Sequence, residues 1–316
     1  MAAHRGRGMS ALRRAAEDYL RVRRALGYKL EVQGWLLDEF VAYLEQTSAA
    51  TITIDAAVAW ATSPAAAYRS YWAQRLSVVR QFARHLQATD PACEIPPAGL
   101  LPFRPRRAIP HLYQPQEITA LMAAAGALPM ALQAATYRTL IGLLAVTGLR
   151  LGEAIRLDRD DLDVDHRLLR ILNSKFGKSR EVALHESAIQ ALESYSRLRE
   201  ERFPAPRCEA FFLSTRGTRL LAPSIHDTFN RLVAAAGLTP RPAGRAPRPH
   251  DLRHAFAVRT LLDWYRDGLD VQARLPLLST YLGHSNPAST FWYLTAAPEL
   301  LALAADRLDP TLEGLA

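Results

Sequence analysis

The chain has 316 residues, of which 49% are hydrophobic and 22% charged, a balance that excludes wholesale disorder and gives material for more than one core. Lys and Arg number 39 against 31 Asp and Glu, a formal charge of +8, and an arginine-led excess suits planar, bidentate recognition of phosphate. The two cysteines, Cys93 and Cys208, lie far apart without metal spacing, and no apolar run approaches the ~20 residues that span a bilayer. A reducing cytoplasm is therefore the expected setting.

The first stretch, "MAAHRGRGMS", is basic and lacks an apolar segment, which reads as a flexible arm over 1–9 rather than a targeting signal. A helical domain is expected over 10–102. Its first helix places Leu12, Ala16, Tyr19, Leu20 and Leu26 at helical spacing, with Gly27 placed to end it. A second carries Trp35, Leu36, Phe40, Val41 and Leu44, and a short third holds Val58 and Trp60. In the fourth, Ser63 is expected to cap and Pro64 to occupy the first turn, with Tyr68, Trp72, Leu76, Val79, Ala83 and Leu86 forming one stripe. Its other face carries Arg69, Arg75, Arg80 and Arg84, either a solvated face or a contact to phosphate.

A proline-rich basic tract around 96–115 follows, and a linker is expected over 103–114 with Arg104, Arg106 and Arg107 able to lie along a DNA backbone. The second domain, 115–296, reads as mixed. Helices are expected at 115–126 and 131–146, a hairpin with a Gly-containing turn at 168–184, and a helix at 186–201. A short "AFFLST" strand and a "TRGT" turn come next. Helical segments at roughly 223–236, 250–266, 271–283 and 287–294 precede a leucine-rich tail over 297–316. The fold class is thus mainly α with a small β-hairpin or sheet (α+β), in two domains.

The stretch "PHDLRHAF" at 249–256 admits more than one chemistry. His250 and His254 at i, i+4 share a helical face, as zinc ligands do, but no third ligand follows at a usual spacing. His250 and Arg253 at i, i+3 also share a face, and a guanidinium beside an imidazole suits a phosphate. Four more stretches bear on the choice: "VTGLRLGEAIRL" with Arg150 and Glu153, "LNSKFGKSREVAL" with Lys175 and Lys178, "LSTYLGHSNPAST" with His284, and "TFWYLTA" with Tyr293. Each alone is unremarkable. Arg150 reads as a surface arginine, Lys175 as a solvated turn residue, His284 as a cap and Tyr293 as core.

In this order the stretches resemble the catalytic domain of the tyrosine recombinase (phage integrase) family. The resemblance covers most of 112–300 and fills all six catalytic positions: Arg150, Lys175, His250, Arg253, His284 and Tyr293. The hairpin departs from the family's usual "GKGxKxR", so Lys178 competes with Lys175, which aligns with the first lysine. Tyr281 precedes the LGH motif and is out of order for the nucleophile.

The resemblance implies a C-shaped DNA clamp made of a core-binding domain and a catalytic domain. It also implies a site-specific recombinase that cuts and rejoins strands through a 3′-phosphotyrosyl link and a Holliday junction. Tyrosine ordinarily ionises near 10, so its attack at neutral pH needs cationic help. Arg150 and Arg253 would clamp the phosphate, Lys175 would protonate the leaving 5′-oxygen, and His250 would act as acid/base. His284 would hydrogen-bond the scissile phosphate, Glu153 would brace the clamp, and His254 stays outside the site as a packed histidine. No cofactor, metal or ATP is implied.

The implied partners are duplex DNA with inverted-repeat core sites and further copies of the chain, dimer to tetramer, alone or with other recombinases, at the nucleoid and not at a membrane. The tail would dock into a neighbouring copy or pack on its own domain. A mobile-element recombinase of integrase or transposase type is the expected role. The alternatives are a type IB topoisomerase-like enzyme and a non-catalytic DNA-binding accessory protein.

Overall fold

The computed structural model describes residues 10–101, 110–174, 177–205, 207–240, 246–284, 286, 288–296, 299, 300 and 302. The chain divides into two compact units, Met1–Arg107 and Ala108–Ala316. Arg104, Arg106, Arg107 and Lys175 lie outside the described residues, as does most of the tail.

Unit 1 contains α1 (Ala11–Ala25), α2 (Glu31–Gln46), α3 (Ile54–Thr62) and α4 (Arg69–Leu86). Its helix starts follow capping chemistry: the Ser10 hydroxyl accepts the Arg13 N–H at 3.1 Å and the Thr53 hydroxyl accepts that of Ala56 at 3.2 Å. Apolar faces of all the helices meet in a core that includes Leu20, Leu36, Phe40, Leu44, Ile52, Trp60, Leu76, Val79 and Phe82.

Three details differ from the pattern read along the sequence. Ser63 is the C-cap of α3, and α4 begins only at Arg69, with Tyr68 as its N-cap and its side chain exposed. A turn at Pro64–Ala67 separates the helices, tied down by the Trp72 indole N–H donating to the Pro64 carbonyl at 2.9 Å. Trp35 and Leu26 keep to the helical rhythm yet point outward, Trp35 with 55% of its surface exposed.

Unit 2 is built around α6 (Ala131–Thr147), which is buried on most sides through Leu132, Tyr137, Leu140, Ile141 and Leu144. Against it pack α5 (Pro115–Gly126), α8 (Glu186–Arg202) and α10 (Pro249–Arg266). Pro115 opens α5, where the Glu117 carboxylate accepts the Gln114 N–H at 2.7 Å. The short α7 (Leu151–Arg156) follows α6 directly, and α9 (Ala222–Ala235) packs on α5 and α7.

The sheet is β1 (Leu162–Asp163), β2 (Leu168–Ile171) and β3 (Arg180–Ala183), antiparallel in sequence order with Ile171 opposite Arg180. The hairpin read from the sequence is therefore β2–β3. The "AFFLST" stretch contributes only isolated bridges, Asp158 with Ala210 and Leu213 with Arg219. Its side chains Phe211 and Phe212 are buried, so packing rather than pairing accounts for the apolar run. A second core joins α10 to α11 (Val271–Leu282) and α12 (Ala288–Ala296) through Leu261, Leu275, Leu278, Leu282 and Tyr293. Fold class and sequence expectation agree: mainly helical with one small sheet.

Candidate active site

Both glycine motifs of the sequence are helix ends. Gly148 closes α6 with φ 62° and Gly283 closes α11 with φ 67°, left-handed values that favour glycine. Helix C-termini leave carbonyl oxygens without intrahelical partners and carry negative partial charge. Two arginines occupy these ends. Arg253 Nη1 donates to the Gly148 carbonyl and Nη2 to the Leu282 carbonyl, each at 2.7 Å. Arg150 Nη2 donates to the Gly283 carbonyl at 2.7 Å. Three segments distant in sequence, at 148–150, 253 and 282–283, are thereby fixed around two guanidiniums.

Glu153 supplies the counter-charge. It stands in the first turn of α7 and accepts the Arg150 backbone N–H at 3.0 Å, closing that helix start. Its carboxylate also takes Arg150 Nη1 at 2.7 Å and both outer nitrogens of Arg180, at 3.1 and 2.9 Å. Burial of this 3%-exposed group alone would raise its pKa, but Arg180 and Arg150 outweigh it and hold the carboxyl at about 2. Arg180 was not singled out in the sequence, where it is only the last basic residue of "SKFGKSR". It starts β3, and its Nε donates to the Tyr281 carbonyl at 2.7 Å.

Arg253 is 1% exposed. Burial lowers its pKa to about 10, against the opposing pull of Tyr293, and it remains a cation at neutral pH. Tyr293 is close enough to oppose that lowering. Tyr293 projects from α12 into the same space and is 2% exposed. The nucleophile candidate is thus held beside the phosphate-binding candidates of its own chain. Tyr281 is elsewhere: its ring stacks on Phe256 at 5.7 Å, a packing role.

Three histidines complete the constellation. His284 follows Gly283, its Nδ1 lies 2.7 Å from the Thr290 hydroxyl, and its ring stacks near Tyr293 at 6.0 Å. With Thr290 donating, Nε2 carries the proton and becomes a hydrogen-bond donor. Burial, then Arg253 and Arg150, depress His284 to about 4. His250 is also lowered, by crowding about the ring and by Arg253, although part of the ring reaches solvent.

His254 refines the sequence reading. Its ring packs edge-on to His250 at 4.7 Å, Trp292 at 5.3 Å and Tyr293 at 5.4 Å. It is packed, as expected, but against His250 and Tyr293 themselves. It gathers no third metal-ligating side chain among the described residues.

Of the two hairpin lysines, Lys178 is exposed beside the turn, where Gly177 N–H donates to the Ser174 carbonyl at 3.0 Å. Of the α4 arginines, Arg69 and Arg84 are exposed. Arg75 does not share their face. It is 5% exposed, stacks on the Trp60 ring at 3.7 Å, and donates to the Trp60 carbonyl at 2.9 Å and Glu39 at 3.3 Å. Arg80 is half-buried and donates to the Pro96 and Pro97 carbonyls at 2.8 and 3.0 Å. Both hold unit 1 together; Arg75 is buried and its guanidinium is taken up within the unit, while Arg80 keeps part of its surface exposed.

Three guanidiniums against one carboxylate, with histidines of lowered pKa and a buried phenol, form a cluster whose charge suits a phosphate diester.

Known proteins carry the same plan. The model of the phage integrase family matches residues 112–299. A Sinorhizobium fredii protein named as integrase/recombinase y4rB is 45% identical over 95% of this chain and 98% of its own length. Tyrosine recombinase XerC of Mycobacterium bovis is 32% identical over 82% of this chain and 84% of its own.

Among solved structures, XerH recombinase bound to its palindromic difH substrate aligns with TM-score 0.63 at 20% identity, over 89% of this chain and 79% of that one. The Tn1549 transposon integrase in complex with transposon right-end DNA aligns with TM-score 0.62 at 16% identity, over 94% and 99%. At that level of identity the structural likeness concerns the fold. Family model, relatives and fold agree, and the chain belongs to the phage integrase family of tyrosine recombinases.

Proposed function

We propose that this chain is a site-specific DNA recombinase of a mobile element, with Tyr293 as the nucleophile of strand cleavage. The observation that carries the reading is the seating of Tyr293: it is buried on α12 with its ring 6.0 Å from that of His284 and 5.4 Å from that of His254, beside the helix ends that Arg253 and Arg150 hold. The phenol oxygen attacks the scissile phosphorus, the P–O5′ bond breaks, and the 3′-phosphate joins the tyrosine. The phenol proton passes to His250, held neutral at pH 7 by its surroundings. Lys175 delivers a proton to the departing 5′-oxygen.

Arg150 and Arg253 take the non-bridging oxygens and stabilise the extra charge of the transition state, and His284 adds a hydrogen bond from Nε2. One phosphodiester is exchanged for another, so a 5′-hydroxyl from a second duplex reverses the step and exchanges strands. The mobile-element role is supported by the integrase/recombinase relatives and by the fold shared with the Tn1549 transposon integrase.

Duplex DNA with inverted-repeat core sites is the proposed partner, bound by two to four copies of the chain. Arg69, Arg84 and Lys178 are the described cations proposed to reach its backbone, and Arg104, Arg106 and Arg107 stay in that proposal. No helix among the described residues is long and apolar enough to cross a membrane.

The test uses a duplex selected from random sequence by the protein's own binding, then nicked beside the footprint so that cleavage releases a short fragment. Wild type should accumulate a covalent protein–DNA adduct and Tyr293→Phe should give none. An adduct formed equally by Tyr293→Phe would overturn the assignment.

A further inference from the structure

Arg180 has no place in the reaction scheme above, yet it makes three hydrogen bonds to the site's framework. Its guanidinium forks the Glu153 carboxylate at 3.1 and 2.9 Å while its Nε holds the Tyr281 carbonyl in the last turn of α11 at 2.7 Å. The same carboxylate holds Arg150 at 2.7 Å, and Arg150 holds the Gly283 carbonyl at 2.7 Å. The result is a closed ring: Glu153 to Arg180, to the end of α11, to Arg150, and back to Glu153. Gly283 makes the ring possible, because a Cβ there would stand 2.9 Å from Arg180 Nη1 and 3.4 Å from Arg150 Nη1.

The charges make the same point. A lone buried carboxylate facing Arg150 would form a one-to-one ion pair and cancel most of the field that Arg150 directs at a phosphate. Arg180 takes a second share of that carboxylate. Of the five N–H groups on Arg150, the bonds to Glu153 and Gly283 use two, and the guanidinium stays cationic toward an incoming anion. Arg180 also opens β3, the strand that follows Lys178 by two residues and, in sequence, Lys175 by five. The hairpin is therefore tied at its base to the carboxylate that sets Arg150.

We infer that Arg180 is a positioning residue for strand cleavage: by sharing Glu153 with Arg150 it fixes the phosphate clamp and anchors the lysine-bearing hairpin to it. The inference rests on the recombinase reading and adds a residue outside the six. Arg180 touches no reacting atom. It acts through Glu153, and that dependence can be measured.

The experiment measures single-turnover cleavage of the nicked duplex at saturating protein, together with DNA affinity and thermal midpoint, for Arg180→Lys, Arg180→Met, Glu153→Gln and the Arg180→Met/Glu153→Gln double variant. Misplacing a catalytic group by a fraction of an ångström to one ångström costs on the order of tenfold to a hundredfold in rate. Arg180→Met should lose about that much and Arg180→Lys, which keeps charge without the fork, should recover part of it. DNA affinity should change by less than about threefold, because the loss is in chemistry rather than in binding. The double variant should be no slower than the slower single variant, since both break one ring.

Wild-type cleavage rates in Arg180→Met and Arg180→Lys would overturn the inference. So would single-variant losses that multiply in the double variant. If Arg180→Met does not fold, Arg180→Lys with Glu153→Gln carries the same comparison. Absence of any adduct with wild type counts against the recombinase reading itself, whereas an active wild type with an indifferent Arg180 counts only against this inference.

Discussion

The guanidinium of Arg253 holds the carbonyls of Gly148 and Leu282, each at 2.7 Å, with Tyr293 close by. One side chain therefore locks the ends of α6 and α11 together and places a positive charge near the phenol proposed to attack. A lysine ammonium on a flexible stem does not reproduce the planar fork that holds two carbonyls. Arg253→Lys should lower the cleavage rate by on the order of a hundredfold. It should also destabilise the protein by about 1–3 kcal/mol, because at least one buried carbonyl loses its donor. Single-turnover cleavage and thermal unfolding of the same preparation check both halves.

Stability should fall as pH is lowered from about 6.5, the ordinary histidine value, toward 4. His284 sits at about 4 and His254 at about 3, each pushed down first by burial and then by neighbouring cations. Across that window the unfolded chain binds protons that the folded chain refuses, so the unfolded state gains as pH drops. Above 6.5 both states hold neutral imidazoles and the contribution is complete. Melting temperature against pH for wild type and His284→Gln reads this directly: the variant should show a shallower slope, and an unchanged slope would show that His284 is not held neutral by the site.

Gly283→Ala should be far more damaging to cleavage than an equally strained alanine elsewhere. Both Gly283 and Gly268 have positive φ, 67° and 72°, so alanine at either costs about 1 kcal/mol of backbone strain. At Gly283 the new Cβ would also meet Arg180 at 2.9 Å, whereas at Gly268 nothing lies within 4 Å. Gly268→Ala should lose stability and keep its cleavage rate; Gly283→Ala should lose both. Equal cleavage in the two variants would mean that the space beneath the arginines is unimportant.

The α4 arginines should separate into two classes. Arg75→Ala removes the cation stacked on Trp60 and leaves the Glu39 pair and the Trp60 carbonyl without it, so unit 1 should lose about 1–3 kcal/mol. Arg69→Ala and Arg84→Ala should leave the melting temperature within experimental error and reduce the salt slope of DNA binding by about one each. A melting temperature unmoved by Arg75→Ala, or a salt slope unmoved by the other two, contradicts this division.

How far the sequence carries can be judged from these same residues. Arg150, His250, Arg253, His284 and Tyr293, expected from motifs far apart in sequence, lie on helices or helix ends that the fold packs together, whereas Lys175 lies outside the described residues. The hairpin was readable because β-branched and alternating residues flank Gly177. Arg180 fills the last place of the hairpin motif, but its role was hidden, since its partners Glu153 and Tyr281 lie 27 and 101 residues away and nothing in local spacing marks them.

Arg75 and Arg80 misled for a different reason. They flank the apolar stripe of α4, and periodicity marks the stripe without showing how wide an arc neighbouring segments cover. Trp60 and the carbonyls of Pro96 and Pro97 widen that arc and cover the two long stems. His254 shows the converse case, where an i, i+4 spacing read as incidental places a ring between His250 and Tyr293.

The central claim is that Tyr293 becomes covalently joined to the 3′ side of the cut. The most direct measurement is to trap the adduct on the nicked duplex, digest protein and DNA, and sequence the nucleotide-bearing peptide by mass spectrometry. The account predicts one modified peptide, containing "TFWYL", with the nucleotide on Tyr293 and a free 5′-hydroxyl on the released fragment. A nucleotide on Tyr281 or any other residue, or a 5′-phosphate on the released fragment, would contradict it.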